Sequence, residues 1–162
     1  YYRAGIQIRF FEKFKTLCEQ KHISLKRVAL PLLFDIIQRG TIEEDEELQN
    51  LWTNLLANAA DSREQVLIRT MFPDILRQIS SEEARYLNEM LDIAEKETKP
   101  HLDWISYDNL RRLRLIDADP NAMDDFMRLP RQYRQLIPDS FWLTSLGEAF
   151  VKACRAPKTE ET

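Results

Sequence analysis

Glycine is nearly missing from this chain, with three among 162 residues. Sandwiches and barrels depend on turn glycines, so the shortage argues against them and favours helices joined by short polar turns. Cysteine is scarcer still. Cys18 and Cys154 each sit among apolar helical neighbours, with no second cysteine or histidine at metal-ligand spacing. Buried free thiols in a reducing cytoplasm are the expectation. No apolar run approaches the roughly 18 residues of a membrane span, and no signal peptide is read. Phosphate loops, dinucleotide fingerprints and zinc patterns are lacking too. His22 and His101 lie far apart, and neither has a serine or cysteine in a nucleophile motif. Catalytic, cofactor-binding and metal-binding residues are therefore expected to be none, and the chain is read as not an enzyme. It lacks an initiating Met and begins inside what reads as a helix, so a fragment of a longer protein is expected.

What is present supports a packed domain. Hydrophobic residues make up 44% of the chain, near the globular norm, and the net charge of −4 gives no general case for a nucleic-acid binder. Charge is unevenly placed: residues 1–42 sum to +5, residues 43–100 to −8 and residues 101–162 to −1. Such a pattern would allow pairing within the fold or between subunits. Exposed pairs contribute only about 0–1 kcal/mol, however, so solvated helix faces are the simpler account.

The segment 41–61 is the organising stretch. Thr41 and Glu44 stand as an N-cap and its N3 partner, and Glu43 to Glu47 load the first turns with the charge a helix dipole favours. Leu48, Leu51, Trp52, Leu55, Leu56 and Ala59 then follow at helical spacing, with Asn50, Thr53, Asn54 and Asn58 on the other side. The acidic run would need converging oxygens and loop geometry to hold a cation. A solvated first turn is the better reading.

Around it lie further helices. Tyr2 to Lys21 puts Ile6, Phe10, Phe14 and Leu17 on one face, with Ile8, Phe11 and Cys18 beside it. A basic amphipathic helix would suit a membrane surface, but Glu12, Glu19 and Gln20 dilute its basic face and favour packing. His22 to Leu30 reads as a link. Pro31 opens a second helix that Gly40 ends as a C′ residue. Val66, Leu67 and Ile68 are placed to cover the core. Pro73 opens another helix, and Ser80 with Glu83 starts one that reaches residues 96–99, with Ala94 inward and Pro100 limiting it.

The last third changes character. Residues 108–113 read as a helix, 114–116 and Phe141–Leu143 as strands, and Thr144 or Ser145 caps a closing helix. Residues 117–138 form a long polar connection. That order describes a winged-helix-like unit with an enlarged wing. Arg111, Arg112 and Arg114 are its candidate nucleic-acid-binding residues, because arginine holds phosphates and reads guanine edges. Asp103, Asp108, Asp117 and Asp119 surround them and would repel a phosphate backbone.

The central segment, Glu44 to Asp61, resembles the Abi-alpha abortive-infection family of bacterial proteins. Phe72 to Ser80 is similar to that family's proline-containing "I-L-K-Q-L-S" segment, although Pro73 follows Phe72 instead of preceding it. Leu110 to Ile116 and Leu143 to Phe150 are similar to its C-terminal "L-x-x-L-G-L-I" and "L-T-x-x-G-x-x-F". Arg114 replaces the glycine expected there, so a different turn is anticipated. The likeness covers roughly residues 20–155. It implies a role in phage defence and brings no catalytic set with it.

The expectation is a mainly α-helical protein. A helical domain spans 1–100, with the central helix at 41–61; a winged-helix-like unit spans 101–155 and a tail 156–162. Leu51, Trp52, Leu55, Leu56, Ile75, Leu76 and Leu87 are expected to be buried together. The expected function is abortive-infection defence by a cytoplasmic, non-enzymatic module that binds a protein partner or itself and carries no cofactor. The alternatives are a DNA-binding regulator acting through the last third, or a toxic enzyme such as a nuclease.

Overall fold

The computed structural model describes residues 2–92, 102–118, 120–121, 128 and 141–159. The protein is mainly α-helical and falls into two compact units, Tyr1–Ser81 with Lys152–Thr162, and Glu82–Val151. The boundary expected near Pro100, the end of the helix before it, and most of the connection after Ala118 lie outside the described residues.

The first unit holds α1 (Tyr2–Gln20), α2 (Leu30–Gly40), α3 (Glu46–Ala60) and the short α4 (Phe72–Leu76). Helix α3 is central, with α1, α2 and α4 all packed against it. It begins later than the sequence indicates. Asp45, not Thr41, is the N-cap, and its carboxylate accepts from the Leu48 N–H at 2.9 Å. Thr41 is captured by the helix before it, where its hydroxyl donates to the Ile37 carbonyl at 2.7 Å. A threonine one turn past a helical carbonyl makes that local bond readily.

Trp52, Leu55, Leu56, Ile75 and Leu76 are buried in this unit. Leu51, expected among them, is only half-buried. At 3.6 residues per turn it falls beside Asn50 and Asn54, on the one side of α3 that stays open. Most of the circumference from Gln49 onward is otherwise covered, and that includes Thr53 and Asn58, placed by the sequence on the side away from the apolar stripe. Gln49 is wholly buried, and Thr53 and Asn58 nearly so. Each is hydrogen-bonded, as burial requires. The Gln49 amide nitrogen lies 3.3 Å from the carbonyls of Ile6 and Gly40, and its oxygen accepts from Arg9 Nε at 2.8 Å. Thr53 donates to the Gln49 carbonyl at 2.9 Å. Asn58 donates to the carbonyls of Ala153 and Arg155, both at 2.8 Å, and Asn54 to that of Cys154 at 2.9 Å. Those are carbonyls at a helix C-terminus, which no residue of their own helix can satisfy.

Gly40 is not a left-handed cap. No glycine in the chain has positive φ. A Cβ on Gly40 would collide with the ring of buried Phe10, so the glycine is there to let that ring approach the backbone. Among the described residues, the left-handed positions are filled by His22, Glu64 and Arg114. At the end of α1, His22 bonds back to the Glu19 carbonyl at 3.3 Å and Ile23 to that of Cys18 at 2.9 Å, the paired bonds of a Schellman turn. The link that follows runs beside the end of α3: Lys26 N–H reaches the Ala60 carbonyl at 2.7 Å, and Ser62 that of Ser24 at 2.9 Å. Asp61 sits there almost fully buried and takes a two-pronged bond from Arg63, with nitrogen–oxygen distances of 2.9 and 2.7 Å. Beyond it Val66 and Ile68 are half-buried, while Leu67 is exposed.

The second unit contains α5 (Ser81–Asp92), α6 (Trp104–Arg112), β1 (Ile116–Ala118), β2 (Phe141–Leu143) and α7 (Ser145–Cys154), whose last turn counts with the first unit. The strands pair antiparallel, with Ile116 opposite Leu143 and Ala118 opposite Phe141. Helix, strand, strand and helix follow in the order of a winged-helix-like unit. Leu87, expected in the core around Trp52, is buried, and its helix α5 belongs to this second unit from Glu82 onward. Phe141 lies 6.0 Å from the rings of both Tyr86 and Tyr107. Glu83 is buried and accepts from Asn109 at 3.1 Å through each carboxylate oxygen.

Candidate functional site

The arginines begin on α6. Asp103 caps that helix, accepting from Ile105 and Ser106 N–H and from the Ser106 hydroxyl at 2.6 Å. The Ser106 hydroxyl and the backbone bonds hold its carboxyl below the usual range. At the other end the chain closes a second Schellman turn, with Arg114 N–H to the Arg111 carbonyl at 2.9 Å and Leu115 N–H to that of Leu110 at 3.0 Å. Arg114 is the C′ residue at φ +58. The turn is therefore the one a glycine would make, not a different one. Arginine takes the left-handed conformation in glycine's place.

The next elements close around this turn. Thr144 caps α7, its hydroxyl accepting from the Gly147 N–H at 3.0 Å and donating to the Arg114 carbonyl at 2.6 Å. The Thr144 N–H reaches the Leu115 carbonyl at 3.0 Å. A Cβ on Gly147 would strike that same carbonyl, so glycine is what lets α7 lie against the strand entry. An open groove of about 630 Å³ results, lined by Arg111, Arg114, Ile116, Asp117, Thr144, Ser145 and Leu146.

The three predicted arginines do not form one cluster. Arg111 and Arg114 line the groove, but Arg112 does not; it donates to Asn109 Oδ1 at 2.7 Å. Adjacent helical residues leave the axis in different directions, so Arg112 does not face the space that Arg111 does. Arg111 also bonds the Tyr107 hydroxyl, and burial raises that phenol above its ordinary value. Among the described residues, no ion pair joins Arg111 or Arg114 to Asp103, Asp108 or Asp117. Sequence reasoning did not assign Thr144, Ser145 and Leu146 to this site. The signal was available in Thr144 followed three residues later by Gly147.

A second groove, of about 340 Å³, lies in the first unit between α1 and α3. Several of its polar side chains are already partnered. Lys13 Nζ donates to Asn50 Oδ1 at 2.7 Å, Arg9 bonds Gln49, and Asn54 bonds the Cys154 carbonyl. Cys154 is buried and Cys18 half-buried, and burial raises both thiols, that of Cys18 with help from the Asp61 charge. Among the described residues, no group of three histidine, cysteine or acidic side chains could hold a metal. No helix among them is long and apolar enough to cross a membrane.

A helical unit built around one central helix, covered on all but one side, with an acidic start and a buried amide face, is the class of protein these observations define. The chain belongs to the abortive infection alpha family, whose model matches residues 6–101, more than half its length. The arginine groove and the C-terminal likeness read from the sequence lie beyond the matched span. No curated protein and no solved structure matches.

Proposed function

We propose that this chain acts in abortive-infection-type defence against phage, as a cytoplasmic, non-enzymatic module that binds a protein partner or a further copy of itself. The family match over residues 6–101 carries the reading. Its interaction role is supported by apolar side chains left open on the matched helices, Ile8 and Phe11 on α1 and Leu30 and Phe34 on α2. Its non-enzymatic character is supported by the work its acids already do. Asp45 and Asp103 cap helices, Asp61 holds Arg63, and Glu83 holds Asn109. Phage plating on cells with and without the full-length gene tests the role. Fewer or smaller plaques for some phages are expected, and equal plaque numbers across a broad panel would overturn the reading.

A further inference from the structure

Arg114 presents a physical puzzle. The C′ position of a Schellman turn is where glycine is free of strain, and every side chain with a Cβ is disfavoured there. Arg114 occupies it at φ +58. Backbone strain of this kind clusters at functional sites, and of the three left-handed residues His22, Glu64 and Arg114 it is Arg114 that lines a groove. This side chain lines a groove, and so does that of Arg111, one turn back on α6.

We propose that this groove binds a small phosphate-bearing anion, held by the guanidinium groups of Arg111 and Arg114. Both arginines line the same groove, and a guanidinium suits the oxygens of a phosphate, which it binds through pairs of parallel hydrogen bonds. Asp117 also lines the groove, leaving it one positive charge in excess. Leu146 and Ile116 supply apolar wall, and Ser145 a hydroxyl. A volume of about 630 Å³ lies within the range of small-molecule sites. Duplex DNA fits less well. Binders of that class make about 6–10 phosphate contacts, whereas two arginines face this groove and Arg112 is turned to Asn109. The competing account is that the arginines merely complement the C-terminal dipole of α6. It gives no reason for strain at Arg114, which lies past the end of the helix. The inference is independent of the defence role.

Arg114→Gly separates the accounts, because it removes the guanidinium while relaxing the backbone. Calorimetric titration of the full chain with inorganic pyrophosphate, at about 50 mM salt, is the measurement, with Arg111→Gln as a second variant and duplex DNA as a second probe. Pyrophosphate is expected to bind the wild type. Each variant should weaken binding about tenfold or more, while Arg114→Gly melts at or above the wild-type temperature. The proposal is overturned by no binding up to about 1 mM pyrophosphate. Unchanged affinity in Arg114→Gly, an adventitious ion only, also overturns it. So does tighter binding of duplex than of pyrophosphate, or a lower melting temperature for Arg114→Gly. Should Arg111→Gln not fold, Arg114→Gly decides alone.

Discussion

The end of α3 and the end of α6 treat polar groups in opposite ways. Around α3, Gln49, Thr53, Asn58 and Asp61 are all buried, and each has its partners close at hand. At the end of α6, by contrast, Arg111 and Arg114 are exposed residues and the backbone between helix and strand is strained at Arg114. A satisfied buried network fixes a structure, whereas exposed charge on a strained turn does little for stability and is suited to meeting a ligand. The family model matches the first kind of region and stops before the second.

The largest effect should come from the core of the first region. Trp52 is 1% exposed on the central helix α3. Trp52→Ala should lower stability by about 3–5 kcal/mol, measured by chemical denaturation, through lost burial and the cavity left behind. A variant that unfolds like wild type would place Trp52 outside the core and erase the contrast between the two regions.

A smaller, pH-dependent effect belongs to Asp61. Hydrogen bonding from Arg63 holds its carboxyl below the ordinary carboxylate range, against a desolvation that works the other way. A depressed folded-state value means that the stabilisation is present above the unfolded value, about 3.9, and is lost as pH falls through the folded one. Asp61→Asn should therefore lower stability near neutrality by about 1.5–3 kcal/mol, the range for hydrogen bonds to charged groups. The gap to wild type should close in acid. A gap that is constant between neutrality and pH of about 2 would show that the charge is not what matters.

These two residues also show where the sequence could be read and where it could not. Trp52 announces itself, since a large apolar side chain at helical spacing has one economical place. The strand Phe141–Leu143 and the Thr144 cap are readable for similar local reasons. Asn58 gives no such signal. It is buried because a distant helix end needs donors for its carbonyls, and that need is written 95 residues away. Thr41 was ambiguous because two helices compete for it, and the carbonyls of the preceding helix were already in place one turn back. Gly40 has the residue type of a cap but serves the Phe10 ring. The arginine groove was half-visible. Three arginines are plain in the sequence, but which two share a face depends on a left-handed turn that residue type does not betray.

The smallest predicted effect is the sharpest comparison, because it repeats one backbone change at two turns. His22 and Arg114 both occupy C′ of a Schellman turn with positive φ. Glycine at either position removes the Cβ conflict, and the loss is offset in part because glycine also frees the unfolded chain. A net gain of up to about 1 kcal/mol is expected at each, raising the melting temperature by about 2–4 °C for a chain of this size. Thermal unfolding of His22→Gly and Arg114→Gly should give shifts of the same sign and similar size. Pyrophosphate binding should then part them, staying at the wild-type level in His22→Gly and falling in Arg114→Gly. His22 lines neither groove, so relaxing its backbone leaves the arginine groove unchanged. Equal loss of binding in both variants would mean that relaxing a turn, and not removing a guanidinium, is what weakens the site.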